Sequence, residues 1–225
     1  MMSNKNYKYL TVITVFFVTI LLVSNIVSTK ITNIWPFTFD AWTILFPLSY
    51  IFWDILTEVY GYKQSRKIIW MWFAAALLMA TVIIIVWLLP SAQNRPYQEA
   101  YQNILWLTPR IVLASLIAYF AWEFSNSYLL AKIKIWMKWK KLRVRTIWST
   151  IVWELFDTSI FVLIAFAWVF DNNLLRIIFV SNYIFKVWVE ILFTPLTYLI
   201  TNKLKKSEWE DYYDYKTDFN PFKFN

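Results

Sequence analysis

Residues 46–66, FPLSYIFWDILTEVYGYKQSR, decide the fold of this chain. The stretch is apolar enough to enter a membrane, yet Asp54 and Glu58 lie inside its apolar part. It ends at Gly61, the only glycine in the sequence, and a basic cluster follows. A carboxylate at bilayer depth costs about 3 kcal/mol or more unless it faces a cavity or a partner. The stretch therefore predicts a membrane helix with a polar wall.

The two acidic residues of this stretch lie on one side of the predicted helix. Asp54 and Glu58 are four positions apart, which places their side chains about one helical turn from each other. Two interpretations are open. The carboxylates form part of a functional site, or they only hold neighbouring helices together through hydrogen bonds. We favour the functional site, because ionisable groups inside a membrane are usually functional.

The composition of the chain is that of a membrane protein. Its 225 residues are 60% hydrophobic and 16% charged, against about 45–50% apolar residues in soluble domains. The net charge of +8 does not indicate nucleic-acid binding, because the cations stand between long apolar runs. The absence of cysteine and histidine excludes disulfides, thiolate metal sites and histidine relays. We expect no cofactor and no metal.

Six apolar runs, each of about 20 residues or more, are long enough to cross a hydrocarbon core of roughly 30 Å. The first run is interpreted as a retained helix rather than a signal peptide, because no small-residue cleavage site precedes Lys30. The sequence thus predicts an all-α polytopic membrane protein with six transmembrane helices. The runs are 9–29, 41–60, 68–89, 109–131, 147–170 and 177–200.

The distribution of lysine and arginine predicts the orientation. If the N-terminus is cytoplasmic, most of the cations fall in cytoplasmic segments, as the positive-inside rule requires. Both termini are then inside. We expect a transmembrane domain at 1–206, a surface loop at 90–108 and a mobile cytoplasmic tail at 207–225, which is acidic and aromatic.

Further ionisable residues lie inside the predicted helices. Glu154 and Asp157 are three positions apart and share a helix face. Lys186 and Glu190 either neutralise each other along the sixth helix or belong to a site, and Arg110 either belongs to the site or only extends to the membrane surface. Within the predicted helices, acidic residues outnumber Lys186, the lysine that lies well inside an apolar run. A ligand with several N–H donors, or a cation, would satisfy this excess.

Several segments together resemble one known family. They are FPLSYIF with DILTEVYGYKQSR at 46–66, SN at 24–25, RIVLASLIAY at 110–119, STIVWELFDTSIFVLIAF at 149–166 and NYIFK at 182–186. On these segments the chain resembles the queuosine precursor transporter family, also called the vitamin uptake transporter family. The resemblance extends from about residue 9 to 205.

The resemblance implies a multi-pass importer in the bacterial inner membrane, without an ATPase of its own, for 7-deazaguanines: the cyano or aminomethyl precursor bases, or queuine. It implies a fold similar to the substrate-binding subunits of energy-coupling-factor transporters, and no enzymatic activity. The partners would be this small molecule and the lipid bilayer, with a homo-oligomer left open.

The resemblance also implies a set of substrate-binding residues. A carboxylate can accept the N1–H and exocyclic amine of a deazaguanine together, and the flat ring suits an aromatic face such as that of Tyr119, Tyr183 or Phe46. Asp157 and Glu58 are the leading candidates for holding the base. Carried over by position are Asn25, Asp54, Glu58, Arg110, Asp157 and Lys186, and Tyr119 and Tyr183 complete the predicted substrate-binding set.

Two other functions stay open on the sequence. One is a substrate-binding subunit of an energy-coupling-factor transporter for another vitamin, which would need an ATPase partner. The other is an intramembrane enzyme that uses Asp54 with Glu58 or Asp157 as an acid and base. The sequence has no protease or transferase signature that would favour the enzyme.

The tryptophans depart from the family pattern. Tryptophan stands at positions such as 53 and 122, where the family pattern has glycine, and the chain has 15 tryptophans and one glycine. Average glycine usage predicts about 16 glycines in a chain of this length. Either the source organism reads UGA codons as glycine and this sequence shows them as tryptophan, or the indoles are real and line interfaces or the site. Trp70 and Trp136 are candidates for genuine tryptophans.

Overall fold

The computed structural model describes residues 7–92, 96–137, 142–214 and 217–222, with the side chains of 122–153 outside the described part. Most of the described chain is helical. The helices are α1 (Leu10–Val27), α2 (Phe46–Ile55), α3 (Gly61–Leu88), α4 (Gln98–Met137), α5 (Leu142–Phe166) and α6 (Asn172–Glu208). A hairpin of β1 (Ile31–Ile34) and β2 (Phe37–Asp40), a 3-10 turn (Ala41–Ile44) and a π-helical turn (Leu56–Tyr60) complete the set.

The long helices are those of a multi-pass membrane protein. Among the residues that the structure describes, four helical segments are long and apolar enough to cross a bilayer. One of them contains both α2 and α3, and α5 lies partly outside the residues that could be assessed. The count of six crossings therefore stays a prediction. The four segments are Leu10–Val27, Phe46–Leu88, Gln98–Ala121 and Asn172–Glu208.

The prediction of an all-α fold is wrong in one place, the β-hairpin between α1 and α2. The strands are antiparallel, with Ile31 opposite Asp40 and Ile34 opposite Phe37. Alternating β-branched and aromatic residues in ITNI and FTFD favour strands. The connection is the two-residue segment 35–36, which is a typical hairpin length.

Two predicted connections are also shorter than expected. The loop predicted at 90–108 ends early, because α4 already begins at Gln98 and contains Pro109 inside the helix. The basic segment at 132–146 is largely helical, with α4 ending at Met137 and α5 beginning at Leu142. Arginine and lysine are good helix formers, so their charge did not mark the ends of these helices.

Gly61 separates α2 and the π-helical turn from α3. Its backbone has φ 79° and ψ 171°, a conformation that is almost exclusive to glycine. There is no room for a side chain either, since a Cβ atom at this position would lie 2.3 Å from Cδ1 of Tyr212. The predicted end of the second run at Gly61 is confirmed, and Pro47 lies in the first turn of α2, where its missing N–H costs least.

Hydrogen bonds bring the start of α1, the π-helical turn and the end of α6 together at one end of the molecule. The Glu208 carboxylate accepts the backbone N–H groups of Lys8 and Tyr9 at 2.9 and 2.7 Å and the Tyr60 hydroxyl at 2.9 Å. At the other end, the backbone N–H of Thr38 in the hairpin donates to Ser181 of α6 at 3.1 Å.

The segment after α6 lies against the first half of α3. The buried Arg66 guanidinium donates to the carbonyls of Asp218 and Asn220 at 2.7 and 2.6 Å, and the Trp70 indole donates to the carbonyl of Pro221 at 2.8 Å. The predicted boundary at 206–207 falls inside α6, which ends at Glu208. The separate tail domain and its mobility stay predictions.

We predict that Gly61→Ala lowers the thermal stability of the purified protein, because the new side chain meets Tyr212 and the backbone conformation excludes it. The backbone alone should cost about 1–3 kcal/mol. Thermal unfolding in detergent measures the loss. Gly61→Ala combined with Tyr212→Ala removes the steric overlap but not the backbone strain, so it should recover only part of the stability. Wild-type stability in the single variant would contradict this account.

Candidate functional site

A cavity lies between the helices on the hairpin side of the molecule. Its wall comes from α1, α2, α3, α4 and α5 and from the 3-10 turn. The lining mixes small polar groups with large rings and two carboxylates. The described residues that line it are Leu21, Ser24, Asn25, Ser28, Trp42, Phe46, Ser49, Tyr50, Trp53, Trp72, Ser115, Ala118, Tyr119, Glu154, Asp157 and Phe161.

Two carboxylates of α5 and one lysine of α6 form a charged cluster at the cavity, which we call the acid–lysine triad. Lys186 Nζ lies 2.7 Å from Asp157 Oδ2 and 3.2 Å from Glu154 Oε2. Three-residue spacing on α5 places both carboxylates on the same helix face. Lys186 therefore pairs across to α5, and the alternative in which it only pairs with Glu190 along α6 is wrong.

Burial within the triad is uneven. The side chains of Glu154 and Lys186 are each 2% exposed, whereas that of Asp157 is 17% exposed. Lys186 Nζ also lies 5.1 and 5.2 Å from the ring centroids of Trp42 and Phe46, which helps to stabilise the buried cation. Asp157 is thus the member of the triad that is most accessible from the cavity.

Asn25 connects α1 to α4 in the cavity wall. Its side-chain N–H donates to the Leu21 carbonyl at 3.1 Å, and its side-chain oxygen accepts the Ser115 hydroxyl at 2.7 Å. The residue is buried, with 3% exposure. An asparagine that is held in this way has a defined orientation, so its polar atoms are preorganised at the cavity surface.

An aromatic wall faces the triad. Tyr119 lines the cavity, and its ring centroid lies 4.4 Å from that of Trp72 and 6.1 Å from that of Trp53. Phe46 and Tyr50 stack on one another at 6.3 Å with nearly parallel rings, and both line the same cavity. Such surfaces suit the faces of a flat, conjugated ligand.

Five of the residues predicted for the site do not line this cavity. Asp54 lies on α2, one turn from the cavity-lining Tyr50. Glu58 pairs with Lys205 of α6 at 2.6 Å, close to the end where α6 meets the N-terminus. Tyr183 stacks on Phe179 at 6.5 Å. Asn25, Tyr119 and Asp157 line the cavity, and Lys186 lies behind its carboxylates.

Arg110, another of these residues, stabilises the C-terminal end of α5. Its guanidinium donates to the carbonyl of Ile164 at 2.7 Å and to the carbonyl of Ala167. The last carbonyls of a helix have no partner within the helix and carry a partial negative charge, so a cation is favourable there. This contact holds the starting half of α4 against the end of α5.

A buried polar network next to the cavity was missed in the sequence. Asp40 is fully buried and accepts Asn182 Nδ2 at 2.8 Å and the Ser28 hydroxyl at 3.1 Å. The Thr43 hydroxyl donates to Asn182 Oδ1 at 2.6 Å. We call these four residues the hairpin network, because it ties the hairpin to α1 and α6. Asn182 is one turn from Lys186 on α6.

Burial raises the pKa of Asp40, which lies outside the helices, from its ordinary value of 3.8 to about 6. The hydrogen bonds from Asn182 and Ser28 and the positive charge of Lys186 act in the opposite direction, and burial is the larger effect. Asp40 lies outside the predicted apolar runs, so a pattern of acidic residues inside such runs does not identify it. Glu154 was recognised as a membrane carboxylate but was not included in the predicted site.

The site offers hydrogen-bond acceptors, a fixed cation and flat apolar surfaces. Among the described residues, no group of three or more histidine, cysteine, aspartate or glutamate side chains could hold a metal ion. The carboxylates of the triad can accept N–H groups of a ligand, with charge-assisted hydrogen bonds. The arrangement is suited to binding a small, nitrogen-rich, planar molecule.

Comparison with known proteins gives one family and one relative. The family model described as "Putative vitamin uptake transporter" matches residues 40–200. A "Probable queuosine precursor transporter" of Bacillus subtilis (strain 168) is 27% identical over 186 residues, which cover 82% of this chain and 81% of that protein. No solved structure matches the chain.

The pKa of Asp40 predicts a pH dependence of stability. Because the native state holds this proton more tightly than the unfolded chain, the free energy of unfolding should fall as the pH rises from about 4 to about 6. Asp40→Asn removes the titrating group. Thermal midpoints in detergent from about pH 4 to about pH 6 should therefore fall more steeply for wild type than for the variant, whereas parallel curves would contradict the raised pKa.

Proposed function

The chain belongs to the vitamin uptake transporter family, and from this premise we propose that it imports queuosine precursors, either 7-deazaguanine bases or queuine. The match of the family model to residues 40–200 confirms the predicted family. The observation that carries the proposed substrate is the cavity in which the acid–lysine triad faces an aromatic wall.

The family is one of transporters, which confirms the prediction that the chain is not an enzyme. The intramembrane enzyme is therefore set aside. A binding subunit that works with an ATPase partner remains the alternative within transport. We favour secondary transport, because the relative that the chain matches over most of its length is named "Probable queuosine precursor transporter".

The cavity chemistry supports a deazaguanine as the ligand. One edge of such a base carries an N1–H and an exocyclic amine, and Asp157 can accept both through a bidentate pair. Tyr119 and Phe46 offer faces for the flat ring. Asn25, with its orientation held by Ser115, supplies a further polar contact in the wall.

The predicted site residues that do not line the cavity are proposed to act from outside it. Lys186 holds Asp157 in place and limits the net charge of the wall. Asp54 lies on the element that supplies Phe46 and Tyr50 to the cavity. Glu58, Arg110 and Tyr183 are proposed to act through helix contacts, or to meet the ligand elsewhere along its path.

We also propose six crossings of the bacterial inner membrane, with both termini in the cytoplasm. Three contacts support this topology. Glu208 joins the start of α1 and the end of the π-helical turn, the hairpin meets the first half of α6, and Arg110 joins α4 to the end of α5. Each of the six helices then runs once from one end of the molecule to the other, α2 together with its π-helical turn.

Uptake of a labelled deazaguanine tests the function. In bacterial cells that cannot synthesise queuosine, expression of this chain should restore uptake. Asp157→Ala should reduce uptake by roughly 10- to 100-fold, because a hydrogen bond to a charged group contributes about 1.5–3 kcal/mol. Glu99→Gln, a change of an exposed acid outside the cavity, is the matched control and should retain uptake.

The amount of each variant in the membrane must be equal for this comparison, and an epitope tag measures it. If Asp157→Ala transported at the wild-type rate, the assigned site would be wrong, while the transport function would stand. If the unchanged chain gave no uptake of any deazaguanine, the proposed substrate would be wrong.

A further inference from the structure

We propose that the cavity prefers deazaguanine bases that carry a protonated amine over bases of similar shape without a charge. This inference rests on the proposed function, since it specifies the ligand of the same cavity. It follows from the charges in the wall. The charged residues among its described lining are Glu154 and Asp157, both acidic.

The triad contains more acidic groups than basic ones. Two carboxylates share one ammonium group, which lies within 3.2 Å of both. Asp40 adds a further carboxyl group whose charge acts on Lys186 from the hairpin side. An excess negative charge in a buried wall is unfavourable unless a partner supplies a positive charge. A ligand ammonium group in the cavity would be such a partner.

The aromatic wall adds to the same preference. Phe46 and Tyr119 line the cavity, and the face of an aromatic ring attracts a cation. Lys186 already shows this type of contact, with its Nζ 5.2 Å from the ring centroid of Phe46. An uncharged nitrile at the same place would gain neither the electrostatic attraction of the triad carboxylates nor the contact between a cation and a ring.

Binding to the purified protein tests the preference. We expect 7-aminomethyl-7-deazaguanine to bind at least about tenfold more tightly than 7-cyano-7-deazaguanine. Asp157→Asn and Glu154→Gln each remove one negative charge and keep the side-chain shape, so each should reduce this ratio several-fold. Each variant also leaves Lys186 with one carboxylate partner. Glu99→Gln should leave the ratio unchanged.

The outcomes separate the two proposals. Equal affinities for the two bases, or an unchanged ratio in a folded carboxylate variant, would overturn the charge preference and leave the transport function standing. Failure of both bases to bind to the wild-type protein would overturn the proposed function itself. A thermal unfolding curve for each variant shows whether it is folded.

A second, independent observation concerns the tryptophans at turns. In the described part of the chain, three residues other than glycine have a positive φ, and two of them are Trp168 with φ 62° and Trp209 with φ 52°. The third is Tyr97. Both tryptophans follow the end of a helix, the position where glycine is the usual residue. Bulky residues are rare in this conformation.

The side chains of these two residues lie mostly outside the core, with the Arg110 guanidinium 6.0 Å from the ring centroid of Trp168. Trp168 is 95% exposed and Trp209 is 89% exposed. The backbone N–H of Glu210 donates to the Lys205 carbonyl at 3.1 Å, which is the bond that closes a Schellman motif around a glycine. Tryptophan is common at membrane surfaces, but that preference does not explain a left-handed backbone.

Buried tryptophans show a related pattern. Trp72 is 1% exposed on the same face of α3 as Ala76 and Ala80, which are also buried. Small residues at four-residue spacing let helices approach closely. The indole N–H of Trp72 has no hydrogen-bond partner among the described residues, although buried indoles usually have one.

Trp70 differs from Trp72 in the hydrogen bonding of its indole. Its indole donates to the Pro221 carbonyl at 2.8 Å, and its ring packs against Phe73, Phe120 and Phe222. From this contrast we infer that the natural protein has glycine at positions 168, 209 and 72, through UGA codons that its organism reads as glycine, and a true tryptophan at 70. The cavity wall at position 72 would then carry no indole.

The gene and the natural protein test this inference. We expect UGA codons at 168, 209 and 72 and UGG at 70, and peptide masses of the natural protein that fit glycine at the first three positions. Tryptophan masses at 168 and 209 would overturn the inference. As a second measurement, Trp168→Gly with Trp209→Gly should raise the thermal midpoint by a few degrees, while Trp70→Gly should lower it. No gain in the first variant would also contradict the inference.

Discussion

The buried pairing of Lys186 with Glu154 and Asp157 is the interaction on which the rest of the structure depends. Each of the three groups alone would be very unfavourable at membrane depth, and their close pairing offsets this cost. The pairing fixes α5 against α6, and the cavity forms where α1, α2, α3 and α4 complete the wall. Binding capacity and helix packing therefore share one set of atoms.

Much of the fold could be predicted from apolar runs and one glycine, because helix length and hydropathy are local properties. The end of the second run at Gly61 was found, since the absence of glycine elsewhere made it conspicuous. The hairpin was not found, because its strands are short and their stability comes from contacts with α6, such as that of Thr38 with Ser181. Helix ends near 98, 137 and 142 were missed because polar residues can continue a helix.

The candidate site could be predicted only in part. Asn25, Tyr119 and Asp157, which the family resemblance implied, line the cavity. Glu58 does not line the cavity. The sequence indicates that Glu58 lies within an apolar run, but not that it pairs with Lys205, which is 147 positions away. The burial of Asp40 could not be predicted either, because its hydrogen-bond partners Ser28 and Asn182 lie in distant parts of the sequence, at the end of α1 and on α6.

The position of Asn182 one turn before Lys186 on α6 has a mechanical consequence. Asn182 secures the hairpin, and Lys186 secures the carboxylates that face the cavity. A rotation or axial shift of this single helix would release both attachments in the same movement. The anchoring of the hairpin and the position of the cavity carboxylates therefore both depend on where this one helix lies.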